Sequence, residues 1–323
     1  MSGGRPQASS AGGAAATTLR ASGPDVVAIG GGHGLSQTLR AATRYARRVT
    51  AIVSVADDGG SSGRLRAELG IPAPGDIRRC LGALLREPVS PLGAALEHRF
   101  DSGALAGHAF GNLLIAALAA STGGFAEGVA EAGRLLGALG SVLPATVAPV
   151  DLKASGAFGE VDGQVQIMAT SGVLQLSLVP SDAAAPAAAV SALREADQIV
   201  IGPGSLYTSV LAACCVPALR DAIATSAGQR IYVANLREQH PETAGYDVAT
   251  HLAALGRHGI AFDLVLADPG ALPIGTLPAG TRLVLAELGT ERFTAHDPAL
   301  LACELEALFG RRDACEPEQA LRA

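Results

Sequence analysis

The stretch from Asp25 to Arg66, DVVAIGGGHGLSQTLRAATRYARRVTAIVSVADDGGSSGRLR, leaves few folds open. Its apolar run Val26, Val27, Ala28, Ile29 is short, rich in β-branched residues and bounded by glycine, the pattern of a parallel strand buried on both faces. Gly30, Gly31, Gly32 and Gly34 follow at once. Glycine accepts positive φ without strain and lets backbone N–H groups approach a ligand closely, so a turn here that opens onto a helix N-terminus makes a place for phosphate. A helix beginning near Leu35 and Ser36 adds the positive end of its dipole. A second strand, expected over residues 49–55, runs into Ala56, Asp57, Asp58, Gly59, Gly60, Ser61, Ser62, Gly63 and Arg64. Both turns then lie at the carboxyl edge of one sheet, where open α/β folds bind ligands.

The same residues have plainer readings. Gly30-x-Gly32-x-Gly34 is not the dinucleotide fingerprint, whose third glycine comes one residue later, and a purely structural turn uses glycine equally well. That spacing ranks a dinucleotide-dependent oxidoreductase last among the functions considered. Asp57 and Asp58 lie somewhat later than the ribose-binding acid of a dinucleotide site. Three roles stay open for them: binding a ribose, holding a magnesium ion, or capping the next turn.

The chain has 323 residues, 49% hydrophobic and 17% charged, enough for one large domain or two modest ones with a substantial core. A net charge of -6 argues against a nucleic-acid surface, which needs a basic excess. Cys80, Cys214, Cys215, Cys303 and Cys315 form an odd, scattered set without C-x-x-C spacing, so neither a zinc site nor a disulfide framework is indicated. The N-terminus has no basic region followed by an apolar one, and the longest apolar run, Leu113 to Ala120, is too short to span a bilayer. The expectation is a cytoplasmic protein with no membrane span and no nucleic-acid partner.

Residues 1–24 are Ala, Gly, Ser and Thr with scattered Arg, and read as a disordered leader. Past Pro74 and Gly75, Asp76 stands where an N-cap would, ahead of an amphipathic helix with Ile77, Leu81, Leu84 and Leu85. Arg78 and Arg79 fall in its first turns, against the dipole, a placement that a phosphate or a salt bridge to Asp57 or Asp58 would offset. Gly107, His108, Gly111 and Asn112 open a helix that is apolar all round and therefore read as buried, with His108 and Asn112 at its mouth. A lone His in that position is more often structural than catalytic. Another helix is expected over 125–139. Between Val142 and Pro180, the runs VLPATVAPV, QVQIMA and VLQLSLVP read as an inserted antiparallel sheet, either a lid or an oligomerisation surface. A second strand, turn, helix unit follows: Gln198 to Ile201, then Gly202, Pro203, Gly204, Ser205, Leu206, Tyr207, Thr208 and Ser209. Two such turns facing one crevice suit a diphosphate. Strands near 230–234, 262–266 and 282–286, a helix over 248–257 and a closing helix over 298–309 complete the pattern, with 311–323 as a polar tail. The fold class is α/β, a Rossmann-like open, mostly parallel sheet with helices on both faces and a small inserted β-hairpin region, as one domain over 25–310.

The blocks GGGHGLS (Gly30 to Ser36), AIVSVADDGGSSGRLR (Ala51 to Arg66), PGDIRRCL (Pro74 to Leu81), GHAFGNLL (Gly107 to Leu114) and IGPGSLYTSV (Ile201 to Val210) resemble the bacterial YvcK, or gluconeogenesis factor, family of the YvcK/CofD-like superfamily. They occur in that family's order over about residues 25 to 260. The resemblance implies a cytoplasmic protein that binds UDP-sugars, chiefly UDP-N-acetylglucosamine, and is needed for cell shape and envelope-precursor supply on gluconeogenic carbon sources. It implies as partner the amidotransferase that makes glucosamine-6-phosphate. A homo-oligomer is a further expectation. The sister branch, the 2-phospho-L-lactate transferases, shares the first glycine turn and Asp57-Asp58 but not the SSGRLR extension. On the transferase reading those two aspartates ligate Mg2+, and Arg64 or Arg78 neutralises developing charge.

The expected ligand-binding residues are Gly31, Gly32, His33, Gly34, Leu35, Asp57, Asp58, Gly59, Ser61, Ser62, Arg64, Asp76, Arg78, His108, Asn112, Gly202, Pro203, Gly204, Ser205, Leu206, Tyr207, Asn235, Glu242 and Thr243. In the block after the strand at 230–234 the family usually reads Asn-Val-Met-Thr-Gln followed by Gly-Glu-Thr. Here Asn235, Gln239, Glu242 and Thr243 match, while Leu236, Arg237, Glu238 and Pro241 depart. His33 stands where the family most often has threonine. An imidazole binds phosphate best when protonated, whereas a hydroxyl does so at any pH. Nucleotide affinity should therefore be higher at acidic than at alkaline pH and should lose that dependence in His33→Ala; equal affinities in the unsubstituted chain at both pH values, measured by titration calorimetry, would remove the idea.

Overall fold

The computed structural model describes residues 18–289 and 294–319. Strand β1 (Asp25–Gly30) passes through the first glycine turn into helix α1 (Gly32–Ala42) and strand β2 (Arg48–Val53). Helices α2 (Gly60–Leu69), α3 (Gly75–Ala83), α4 (Pro91–Glu97), α5 (Phe110–Thr122) and α6 (Phe125–Leu135) lead to β3 (Ser141–Pro144). An excursion of β4 (Asp151–Gly156), β5 (Gly159–Asp162), α7 (Gln164–Met168) and β6 (Val173–Val179) follows. The core resumes with α8 (Ala187–Glu195), β7 (Gln198–Ile201) and a π-helix (Leu206–Leu211) that runs into α9 (Ala212–Cys214). Then come α10 (Pro217–Thr225), β8 (Gln229–Val233), α11 (Val248–Arg257), β9 (Leu264–Ala267), β10 (Arg282–Leu285) and α12 (Pro298–Gln319).

Seven parallel strands form the main sheet in the order β10-β9-β8-β7-β1-β2-β3. Ala28 of β1 lies level with Ala51 of β2 on one side and Val200 of β7 on the other. Both faces are covered, which is why β1 reads as a continuous apolar run. Val26 and Ala28 pack with Leu35, Leu39, Ile77, Leu81 and Leu305 in one core, and Val27 and Ile29 with Leu193, Ile223, Leu252 and Leu255 in the other. Each large side chain removed from water this way contributes roughly 1.5–3 kcal/mol. The chain moves from β1 outward to β2 and β3, then returns to lay β7 on the opposite side of β1 and continues outward to β8, β9 and β10. The order reverses between β1 and β7. At that switch point the loops leaving the two strands diverge and open a crevice.

The fold class is as expected, and several local features differ. Ser141–Pro144, the start of the run assigned to the inserted sheet, pairs parallel with β2 as an edge of the main sheet. QVQIM is helix α7, not a strand. Gly163, at φ +90°, turns the chain there, and the Asp58 carboxylate accepts the backbone N–H groups of Gln164 and Val165, so a contact over 106 residues overrides the local pattern. The remaining insert is the antiparallel sheet β5-β4-β6. Helix α5 is not buried all round: Leu113, Leu114 and Leu118 are partly buried and Ala117 and Ala120 exposed. Helix α6 stops at Leu135 and α12 continues to Gln319. Residues 18–24 of the expected leader are anchored at two points, with Leu19 against the core and the Arg20 N–H donating to the Ala46 carbonyl; residues 1–17 lie outside the described set. Among the described residues no single helix is long and apolar enough to cross a membrane.

Three buried histidines hold loops and insert to this frame. The His258 Nε2 accepts the Leu176 N–H of β6 at 2.8 Å, so its proton sits on Nδ1, which donates to the Ala254 carbonyl at 2.7 Å. His251 and His296 bond the carbonyls of Asp247 and Ala234. Burial depresses all three below the usual imidazole range, His296 to about 4. A depressed folded-state value means that the unfolded chain binds these protons first. Stability is therefore complete above about pH 6.5 and falls toward pH 4, with His296 alone accounting for roughly 3 kcal/mol. Urea unfolding at pH 7.5 and pH 5 should show this loss, and His296→Gln, which keeps a donor but cannot titrate, should remove the His296 share of it; an unchanged loss would remove the assignment.

Candidate functional site

The two glycine turns touch. The Thr38 hydroxyl donates to the Gly202 carbonyl at 3.3 Å, and a Cβ on Gly204 would lie 3.3 Å from the Gly31 carbonyl oxygen. A Cβ on Gly34 would fall inside the Pro203 carbonyl oxygen. Gly32 and Gly202, at φ +66° and +75°, hold backbone that side chains rarely adopt. Two cavities, of about 420 and 930 Å3, share His33, Gly34, Gly204 and Gln239 in their walls, so they adjoin at this contact as two ends of a groove.

The smaller end is lined by Gly31, Gly32, Ser54, Asp57, Asp76, Arg79, Gln164, Met168, Ser205, Thr208 and Ser209. Helix α1 begins at Gly32, three residues earlier than expected, so the N–H groups of Gly32, His33 and Gly34 are first-turn donors without partners inside the helix. Asp76 is not an N-cap: the cap position of α3 is Pro74, and Asp76 sits in the first turn. Its carboxylate accepts the Gly32 N–H of α1 and pairs with Arg79 at 2.7 Å. Burial raises its pKa above the ordinary carboxylate range, Arg79 and the Gly32 N–H oppose the rise, and the charge of Asp57 adds to it. This end is rich in acceptors and suits hydroxyl donors.

The second turn contributes less backbone than expected. Asn235 brackets Gly204, accepting its N–H at 3.1 Å and donating to its carbonyl at 2.9 Å. Glu242 accepts both the N–H and the hydroxyl of Thr208, each at 3.0 Å, at the start of the π-helix, and burial raises its pKa against those bonds. Ser205 and Ser209 lend hydroxyls instead. The larger end is lined by Gln37, Pro203, Asn235, Leu236, Arg237, Glu238, His240, Leu272, Pro273 and His296, a mixed apolar and polar wall.

Of the expected ligand-binding residues, Gly31, Gly32, His33, Gly34, Asp57, Asp76, Pro203, Gly204, Ser205 and Asn235 line this groove. The others are placed elsewhere. Leu35, Leu206 and Tyr207 are core side chains, and Gly202 lies beneath the turn against the Val233 carbonyl. Asp58 holds α7, and Gly59 lies under Val165. His108 and Asn112 are not among the residues lining the groove, and both bond the Ser61 hydroxyl, at 3.2 and 3.0 Å. Arg78 is buried between Asn112 and Glu97, and bonds neither Asp57 nor Asp58. Ser62 packs against Gly75, Arg64 donates to the Ala106 carbonyl, and Thr243 staples Gln239. The arginine of the smaller end is Arg79, which shares the face of Asp76 at i, i+3; that spacing was the legible signal for it. Nothing in the sequence marks Gln164, Met168 or His296.

For a divalent cation, the described residues hold no cluster of three or more His, Cys, Asp or Glu side chains suited to a metal. Asp58 is engaged with α7, which leaves Asp57 and Asp76. A carboxylate pair completed by phosphate oxygens and water fits Mg2+, which rarely takes an all-protein cage.

Fold and groove define an open α/β protein with its crevice at the switch point, and the sequence profile of the 2-phospho-L-lactate transferase CofD family matches residues 26–280. Gluconeogenesis factors from Halalkalibacterium halodurans and Bacillus subtilis are 44% and 41% identical over 249 and 256 residues, covering 75% and 77% of this chain and 77% and 80% of theirs. A crystal structure of a UPF0052 family member from Bacillus halodurans superposes with a TM-score of 0.80 at 37% identity, over 87% of this chain and 97% of that one. The chain belongs to the YvcK, or gluconeogenesis factor, family within the CofD-like proteins.

The contact between turns predicts that Gly34→Ala is costly despite alanine's better helix propensity of about 1 kcal/mol. The new methyl meets backbone that cannot rotate away, an overpacking cost of roughly 1–3 kcal/mol. Denaturant unfolding should show a net loss of stability; a gain would mean that the turns part freely.

Proposed function

We propose that this protein is a nucleotide-sugar-binding regulator whose ligand is a UDP-sugar, UDP-N-acetylglucosamine in particular. The observation that carries this reading is one groove spanning two glycine turns whose ends differ in chemistry. The backbone N–H groups of His33 and Gly34 and the His33 ring, where the two ends meet, and the Ser205 and Ser209 hydroxyls beside them supply donors for a diphosphate. The larger end, walled by Leu236, Leu272 and Pro273, accommodates base and ribose. Asp57 and Asp76 at the smaller end accept hydroxyl hydrogens and repel further phosphate, which fits a sugar there. The relatives' name supports a role in gluconeogenic growth, and the family resemblance supports cytoplasmic control of cell shape and envelope-precursor supply through the glucosamine-6-phosphate-forming amidotransferase.

A second reading is favoured by the CofD profile match and by the Asp57–Asp76 pair: a transferase acting on a phosphate group. Bound Mg2+ would stabilise charge developing on the transferred group. Asp57 and Asp76 would hold the ion, and Arg79 would neutralise neighbouring anionic oxygens. Titration calorimetry with UDP-N-acetylglucosamine with and without Mg2+, followed by phosphorus NMR for turnover, separates the two. Metal-independent binding without product is the expected outcome; metal-dependent consumption of nucleotide would replace the regulator with an enzyme.

A further inference from the structure

We infer that α7 roofs the sugar end of the groove, that Gln164 and Met168 select the group beyond the diphosphate, and that Asp58 is the residue positioning them. This rests on the nucleotide-sugar reading above. Helix α7 has five residues, too few to persist alone in water. Its two leading N–H groups, of Gln164 and Val165, both go to the Asp58 carboxylate, at 2.8 and 3.0 Å. A Cβ on Gly163 would lie 2.6 Å from Asp58 Oδ2, so glycine there permits the approach. Asp57 and Asp58 thus divide their work: the first faces the cavity and the second holds the helix above it.

Gln164 and Met168 stand four residues apart, on one helix face, and both line the same cavity as Asp57, Asp76 and Arg79. The Gln164 amide donates to the Met168 thioether, a weak acceptor that a ligand carbonyl would displace. Met168 is 42% exposed, so its side chain has apolar surface left to cover. A primary amide beside a pliable thioether, in a cavity that also holds two carboxylates, matches a hexose that carries an amide substituent: hydroxyls to the carboxylates, amide to Gln164, methyl to Met168.

The test compares affinities for UDP-N-acetylglucosamine, UDP-glucose and UDP by titration calorimetry in the full chain and in Gln164→Ala, Asp58→Asn and Asp58→Ala. The unsubstituted chain should prefer the acetamido sugar to UDP, and Gln164→Ala should cut that ratio about five-fold or more. Asp58→Ala should cut it equally, with faster dissociation of the sugar nucleotide, and Asp58→Asn should recover part of it. A general loss of folding would instead weaken all three ligands together and leave the ratio unmoved. Unchanged ratios in the variants overturn the roof while leaving the nucleotide reading intact; failure of the unsubstituted chain to bind any of the three overturns both.

Discussion

The close approach of two glycine turns at the ends of β1 and β7 is the constraint on which the rest depends. Neither turn has room for a side chain on its partner's side: Gly34 abuts the Pro203 carbonyl, Gly204 faces the Gly31 carbonyl, and Thr38 bonds across the gap to Gly202. These contacts fix the depth of the crevice and the direction in which α1 points. The helix N-terminus is therefore aimed into the groove, and its unpaired donors become a feature of the site.

The groove is chemically polarised by how its own residues satisfy those donors. Asp76 already answers the Gly32 N–H, and Arg79 balances Asp76, so the α1 end is partly neutralised from within. Asn235 and Glu242 take the Gly204 and Thr208 N–H groups of the second turn. A phosphate entering here finds His33, Gly34 and hydroxyls, rather than two complete rings of backbone donors. The carboxylates at one end then disfavour a third anionic group and favour hydroxyls. Orientation of a bound molecule follows from this gradient more than from the size of either end.

The sheet, its switch point and the two turns were legible because buried parallel strands and glycine clusters leave short-range signatures. Val26 to Ile29 and Gln198 to Ile201 are strands where the pattern places them, and Asp57 and Asp76 line the groove. What was not legible depends on partners far away in the chain. Arg78 and Arg79 are adjacent, and only the packing of α3 turns the first inward to Glu97 and Asn112 and the second toward the cavity. His108 and Asn112 sit at a helix start as expected, yet Ser61, about fifty residues earlier, occupies both. QVQIM has strand-forming residues, and Asp58 makes it a helix by taking two N–H groups that a strand would have presented to a neighbour.

Among the hydrogen bonds that tie the insert to the core, those of Asp58 and Tyr207 lead back to a groove turn. Asp58, next to Asp57, holds α7. The Tyr207 hydroxyl, on the π-helix that follows the second turn, donates to the Val173 carbonyl of β6 at 2.6 Å and meets Tyr246 at 3.0 Å. His258 fixes Leu176 from α11. The widened π coil, in which the Val210 N–H reaches back to the Ser205 carbonyl, begins at the very residue that lends its hydroxyl to the groove. Moving the insert away from the sheet must therefore disturb hydrogen bonds rooted in the loop after β2 and in the loop after β7. A small polar inclusion between those loops is thereby coupled to the position of a sheet that shares no strand pairing with the main one.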